Sequence, residues 1–353
     1  MIFNETPIFI SGENSYNTYR IPALVVSGDG TILAFCEGRK NSSSDTGDID
    51  IVLKRSYDNG KTWDDMRVIL DDGIDTVGNP APVLDRETGT IWLLITRNLA
   101  SGPEKLIVEG KAPRTAWVTY SPDDGETWAE LKEITDDVKK PTWTWYATGP
   151  CHGIQLKSSR LVIPCDHVDG TERDYQRTAY SHVIYSDDRG KTWQIGGIGQ
   201  AGTNECVIVE TMNDALYLNC RNYVGDKRRA YTWSYDSGET FTDFGWHDKL
   251  VEPICQASMI RYTDEVNHDK NRILFSNPAS TNRERMTIRI SYDECKSWSD
   301  GKLLYEGPSA YSDLCVAPDM TIGCLYECGK EKAYETITYA QFDLDWLTDG
   351  AEK

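Results

Sequence analysis

One eight-residue phrase recurs five times along this chain of 353 residues. It reads "SYDNGKTW" from Ser56, "SPDDGETW" from Ser121, "SDDRGKTW" from Ser186, "SYDSGETF" from Ser234 and "SYDECKSW" from Ser291. Successive copies start 65, 65, 48 and 57 residues apart. Periods of that size match one four-stranded propeller blade with its loops. Short β-rich runs ("TILAFCEG", "TIWLLITR", "RLVIPCDH", "ALYLNCRN", "NRILFSNP") fill the intervals, each bounded by Gly, Asp, Asn or Pro. At roughly 50 to 65 residues per repeat, the length accommodates about six blades. The expected fold is therefore all-β: a six-bladed β-propeller of four-stranded antiparallel sheets, one domain over residues 1–353, with one blade lacking the phrase. Only "AELKEITDDVKK" reads as helical, for a turn or two. The last apolar run, "ETITYAQFDLDWL", is expected to share a blade with an N-terminal strand, because a closed ring leaves few edges.

The phrase follows strand-like residues ("IDIVLKR", "TAWVTY", "SHVIY", "MTIRI"), so it reads as a hairpin turn. Asp58 can accept backbone N–H bonds inside the loop, Gly60 supplies a positive φ, and Trp63 packs beneath it. Phe241 and Cys295 break the pattern at the tryptophan and glycine positions. A catalytic group is seldom written five times around a ring, so the phrase is read as scaffold.

Lys and Arg number 37 against 56 Asp and Glu, a net charge of −19. That balance argues against nucleic acid or anionic lipid as the main partner, while leaving room for an anionic small molecule held by a few clustered arginines. No apolar run approaches the ~20 residues of a membrane span, so no membrane insertion is expected. The N-terminus lacks a basic start followed by an apolar segment. The sequence as given reads as cytoplasmic, or as secreted or periplasmic if a leader has been trimmed. Ten cysteines without a CxxC pair read as reduced, buried thiols. Five histidines without HxH or HExxH spacing imply neither a metal nor another cofactor.

The repeated phrases resemble the Asp boxes of the sialidase superfamily. "YRIPALVV" at 19–26, "CEGRKNSSSDTGDIDIVLKRS", "NECVIVE…NCRN", "SNPASTNRERMTIRIS", "GPSAYSDL" and "LYE" follow in that family's order over essentially the whole chain. On these motifs the chain resembles the catalytic domain of a retaining exo-α-sialidase. The implied partners are sialylated glycans on glycoproteins, glycolipids and oligosaccharides.

The resemblance implies a role for each motif residue. Sialic acid carries a carboxylate on its anomeric carbon, and guanidinium groups suit it at every pH. The family's three clamp arginines match Arg20, Arg221 and Arg283. Arg285 and Arg289 are the local rivals of Arg283, and strand alternation makes Arg289 the weaker one. A carboxylate nucleophile would be repelled by the substrate's own carboxylate, and sialidases are the known retaining glycosidases with a tyrosine in that role. Tyr311 matches it. A phenol with a pKa of about 10 needs a base, and Glu205 matches, with Glu210 as rival five residues along. The acid that protonates the leaving oxygen matches Asp45, with Asp48 second and Asp50 a structural alternative. Arg39 matches a further arginine lining the family's site. Glu37 and Glu327 are supporting candidates, Glu327 beside Arg20, or else ordinary structural acids. Trp145, Tyr146, Asp166 and His167 fall where relatives wall the sugar's N-acetyl and glycerol groups, although Trp143 and Trp145 equally suit filling between blades. Two other activities share much of this pattern: a trans-sialidase uses the same catalytic set, and a sialoside-binding propeller without catalysis needs no Tyr311, Glu205 and Asp45.

Overall fold

The computed structural model describes residues 1–352. Its strands fall into six antiparallel units around one axis. The first unit is Thr18–Val26, Ile32–Arg39, Ile49–Ser56 and Arg67–Leu70. Thr76–Asp85, Thr90–Asn98, Arg114–Ser121 and Lys132–Glu133 form the second. The third has a divided inner strand, Trp143–Thr148 and Ile154–Gln155, against Leu161–Asp169, Ala179–Ser186 and Gln194–Ala201. Thr203–Glu210, Leu216–Asn222, Arg228–Ser234 and Thr242–Val251 make the fourth. The fifth holds Ser258–Thr263, Arg272–Pro278, Glu284–Ser291 and the first half of the long strand Lys302–Val316, whose second half opens the sixth with Ile322–Cys328 and Thr336–Phe342. Phe3–Ile10 completes the sixth blade by pairing antiparallel with Thr336–Phe342. The two ends of the chain thus share one sheet, and the outer strand the ring needs comes from the N-terminus.

All five copies of the repeated phrase follow the third strand of a blade and build one hydrogen-bond pattern. In the first, Ser56 Oγ accepts from Gly60 N at 2.8 Å, and Asp58 accepts from the backbone N–H and the hydroxyl of Thr62 at 2.8 and 2.7 Å. Gly60 has φ +85°, and a Cβ there would lie 2.2 Å from a ring carbon of Tyr339 in the sixth blade. Trp63 meets the same Tyr339 edge-on at 5.0 Å, so the turn also ties neighbouring blades together. Cys295, standing in the glycine position, keeps the left-handed backbone at φ +67° and the same bond to Ser291 Oγ at 2.9 Å. In the sixth blade the third and fourth strands come from opposite ends of the chain. No hairpin joins them, and a short helix, Leu344–Leu347, capped by Asp343 on Trp346 N at 2.8 Å, stands where the phrase would be.

The ten cysteines are buried and free. The predicted helical stretch contributes one turn, Thr135–Val138. Among the described residues no helix is long and apolar enough to cross a membrane.

Five of the inner strands break register at the same level: between Arg20 and Ala23, Gly78 and Ala81, Trp143 and Tyr146, Thr203 and Cys206, and Ser309 and Ser312. Such bulges re-aim side chains that regular alternation would send elsewhere. They surround the mouth of the axial channel, and the candidate site lies there.

Candidate active site

The pocket is a polar cavity of about 180 Å³ at the end of the axis where the inner strands begin. No residue of the five repeated turns lines it. Antiparallel strands place those turns at the opposite face, which fits their reading as scaffold.

Tyr311 lies on the wall of the pocket, 6% exposed. Its hydroxyl donates to Glu205 Oε1 in a short hydrogen bond and accepts from Arg221 Nη1 at 3.2 Å. Arg221 Nη1 also pairs with Glu205 Oε2 at 2.7 Å. The guanidinium carbons of Arg20 and Arg283 lie 5.0 and 5.6 Å from the centre of the Tyr311 ring. Three blades therefore deliver three guanidinium groups around one phenol. Burial first, then the Glu205 carboxylate, push that phenol well above its ordinary pKa, against the opposing pull of Arg221 and Arg283. Tyr311 is accordingly a neutral donor to Glu205 in the free protein.

Glu327 holds this arrangement from below. Fully buried, it accepts from Arg20 Nε at 2.7 Å, Ile21 N at 2.9 Å and Tyr311 N at 3.1 Å. Ile21 sits at φ +61°, a costly conformation for a β-branched residue. The Glu327 carboxylate anchors that strained backbone and aims Arg20. Tyr334 touches two of these arginines, its hydroxyl accepting from Arg283 Nη1 at 2.6 Å and its ring lying 4.1 Å from the Arg20 guanidinium.

Asp45 reaches in from an exposed loop of the first blade. Its Oδ1 lies 2.8 Å from Arg39 Nη1 and 3.8 Å from Arg20 Nη1. Desolvation in the cleft opposes the charge, but Arg39 and Arg20 outweigh it and hold this largely exposed carboxyl below the ordinary aspartate range. Arg39 is fixed by Glu37 Oε2, at 2.9 and 2.6 Å from Nε and Nη2. The other Glu37 oxygen accepts from Asn79 N at 2.8 Å, an approach that Gly78 permits, since a Cβ there would come within 2.5 Å of it.

The opposite wall is Asp166 with Asn204 and Trp145. Asp166 is 1% exposed and accepts from Asn204 Nδ2 at 2.6 Å, while its Oδ2 has no partner. Burial, then the nearby Glu205, raise its pKa well above the ordinary value despite Arg221 and Arg114. That direction favours the neutral carboxyl, which can donate as well as accept.

Two sequence expectations fail here. Tyr146 does not reach the pocket: it is fully buried, with its hydroxyl toward Cys165 Sγ at 3.7 Å, and only its backbone carbonyl is used, accepting from Arg114 Nε at 2.5 Å. His167 is also turned away, stacked 3.6 Å from Trp143, with Nδ1 3.0 Å from His182 Nδ1. Successive strand residues point to opposite faces. With Trp145 and Asp166 facing the pocket, their neighbours Tyr146 and His167 must face the blade interior. Trp143 fills that interior as well. The rivals lie elsewhere. Arg285 is on the surface beside Glu306, Arg289 bonds Asn277, Glu210 rims the far end of the axis, and Asp48 and Asp50 bind Lys40.

The pocket also contains residues that the motifs did not indicate. Arg114 is buried with no carboxylate partner, donating to Asn79, Asn98, Thr96 and the Tyr146 carbonyl, and its guanidinium lies 4.0 Å from the Trp145 ring. Burial brings its pKa down to about 10. Its only signal was an arginine opening a strand at a blade's pocket end, the placement of Arg283. Glu104, Tyr175 and Tyr223 close the side next to Asp166. Among the described residues no group of acidic, histidine or cysteine side chains is arranged to hold a metal ion.

Fold and site together define a propeller whose axial pocket is built to grip a small anion in guanidinium groups beside a phenol–carboxylate pair. A family model described as a BNR repeat-like domain matches residues 30–325. The chain is 33% identical over 338 residues to a sialidase of Bacteroides fragilis, covering 90% of this chain and 61% of that protein. It is 31% identical to an exo-alpha-sialidase of Aspergillus fumigatus over 382 residues, covering 98% of this chain and 88% of the relative. Among solved structures, the Hadza microbial sialidase Hz136 superposes with a TM-score of 0.88 at 32% identity, over 97% of this chain and 69% of that one. The chain belongs to the sialidase family. It spans about three-fifths of the Bacteroides fragilis relative, 61%.

Proposed function

We propose that the protein is an exo-α-sialidase that releases terminal sialic acid from glycans with retention of configuration, with Tyr311 as nucleophile. The observation that carries this is the Tyr311 hydroxyl, bonded to Glu205 and surrounded by Arg20, Arg221 and Arg283. The three guanidinium groups receive the sugar's carboxylate and hold the anomeric carbon against Tyr311, while that carboxylate and the Tyr311–Glu205 pair balance the positive charge of an oxocarbenium-like transition state. Tyr311 passes its proton to Glu205 as its oxygen bonds to the anomeric carbon, and Asp45 gives a proton to the departing glycan oxygen. Water then attacks the same carbon and yields its proton to Asp45. The bond to Tyr311 breaks, and the phenolate recovers its proton from Glu205. Two displacements leave the configuration unchanged.

Asp45 is held ionised in the free pocket by Arg39 and Arg20. To act as an acid it has to gain a proton, and the arriving carboxylate supplies the reason. A second anion on Arg20 weakens that arginine's hold on Asp45 and favours its protonated form. Asp166 and Trp145 are the side chains placed to meet the uncharged parts of the sugar.

The test is Tyr311→Phe assayed on an aryl α-sialoside, with the anomer released by the parent enzyme followed by proton NMR. The expected result is loss of nearly all turnover in the variant and initial release of the α-anomer by the parent. Full turnover by Tyr311→Phe, or initial release of the β-anomer, overturns the reading. Adding lactose and looking for sialyllactose separates transfer from hydrolysis.

A further inference from the structure

The three clamp arginines are not held alike. Arg20 is paired with the buried Glu327 and Arg221 with the buried Glu205, each at 2.7 Å. Arg283 has no carboxylate partner among the described residues, and its side chain makes one bond, from Nη1 to the Tyr334 hydroxyl at 2.6 Å. Cys255, buried beside it, has its thiol pushed up to about 11, mainly by burial, so it adds no counter-charge near neutral pH.

A paired guanidinium and carboxylate nearly cancel for an anion a few ångströms away, whereas an unpaired guanidinium attracts it with its full charge. Arg283 is therefore the member of the clamp with charge to spare. It is also the one most in need of restraint, being half-exposed and set just before the strand Glu284–Ser291. A long side chain left free must be ordered when a ligand arrives, and that ordering weakens binding.

Tyr334 supplies the restraint from a fixed position. It lies in the loop 329–335 that joins the strands Ile322–Cys328 and Thr336–Phe342. The Glu335 carboxylate closes this loop, accepting from the backbone N–H groups of Lys330, Glu331 and Lys332 at 2.8, 2.9 and 2.9 Å. The Tyr334 carbonyl accepts from Ser11 Oγ at 2.8 Å, and Ser11 N donates to the Glu335 carbonyl at 3.0 Å. Ala333 is buried with Ile21, Ala310 and Tyr311, and Tyr334 packs against that cluster. The ring is thus fixed over Arg20 while the hydroxyl reaches Arg283 in the next blade. A carboxylate at this point would hold Arg283 equally well but cancel its charge. A hydroxyl accepts the hydrogen bond and leaves the charge in place.

Taking the pocket as a sialidase site, we propose that Tyr334 is a positioning residue of the carboxylate clamp: its hydroxyl pre-sets Arg283 without neutralising it, so that Arg283 supplies the clamp's uncompensated pull on the substrate's carboxylate.

The test is Tyr334→Phe, which keeps the ring over Arg20 and removes only the hydroxyl. The parent and the variant are titrated calorimetrically with an unsaturated sialic acid analogue and with its methyl ester, which carries no charge for Arg283 to meet. The variant should bind the acid about fivefold more weakly, the cost of ordering one freed side chain, and the ester within about twofold of the parent. KM on an aryl sialoside should rise by about the same factor with kcat within about twofold, because Arg283 meets the carboxylate in the ground state and the transition state alike. A purely structural role would weaken acid and ester equally, and that result overturns the proposal. Unchanged affinity of the variant for the acid overturns it too. Failure of the parent itself to bind the acid overturns the sialidase reading, and the role of Tyr334 with it.

Discussion

Replacing Glu327 by Gln tests how the clamp is held. Glu327 accepts from three donors at once: Arg20 Nε, Ile21 N and Tyr311 N. An amide of the same shape keeps one acceptor oxygen but turns an NH₂ toward one of those donors, and it leaves the 6%-exposed Arg20 without its buried counter-charge. Breaking one side of a buried ion pair costs about 3–5 kcal/mol. An unfolding entropy of about 2.1 cal/mol/K per residue over the 353 residues of this chain comes to about 0.74 kcal/mol/K. The expected fall in Tm is therefore about 4–7 °C by differential scanning calorimetry. Misplacing a positioned group by about an ångström costs on the order of a hundredfold in rate, so kcat/KM on an aryl sialoside should fall by about that factor with the fold retained. A variant within about 1 °C of the parent Tm and within about threefold of its kcat/KM would refute the idea that this carboxylate couples Arg20 to the Tyr311 strand.

Proton uptake is the next prediction. Because Arg39 and Arg20 keep Asp45 ionised in the free protein, binding of an unsaturated sialic acid analogue should draw a proton from solution at mildly acidic pH. Calorimetry in two buffers of different ionisation enthalpy should show the uptake, and Asp45→Asn should abolish it; equal heats in both buffers with the parent refute it. Gly60→Ala should cost about 2–4 kcal/mol through strained φ and overpacking against Tyr339. Per folded molecule it should leave kcat intact, because the turn lies at the far face; a fall in kcat with no fall in Tm counts against the scaffold reading. His182 is kept neutral in the folded state, its pKa lowered to about 3, mainly by burial and then by Lys140. The unfolded chain binds the extra proton below about pH 6.5, so this contribution to stability is present above that value and is lost as pH falls toward 3. Replacing His182 with Gln should flatten the acid limb of Tm against pH; an unchanged slope contradicts this.

The parts of the molecule legible in the sequence are those whose physics is local. Each repeated turn closes within eight residues, Ser to Gly and Asp to Thr, so the phrase announces its own hydrogen bonds and, through its period, the blades. Cys295 shows how far the local rule extends: the backbone keeps its left-handed turn even with a side chain where the others have glycine. The site residues were legible only where a family motif marked them. Alternation along a strand separates Trp145 from Tyr146 and Asp166 from His167, yet a sequence does not say which face is the pocket. The bulges on five inner strands then shift the phase at the level that matters, so Asn204 and Glu205 line the pocket as neighbours.

Arg114, Tyr334 and the bonds from Glu327 to Ile21 N and Tyr311 N belong to the tertiary structure alone. Each draws its meaning from partners on another strand or blade, such as the Tyr334 hydroxyl accepting from Arg283 Nη1. Short-range hydrogen bonding and hydrophobic period wrote the blade into the chain. The meeting of guanidinium groups around one phenol required the ring to close, because electrostatic neighbours are set by distance in space and leave no trace in residue spacing.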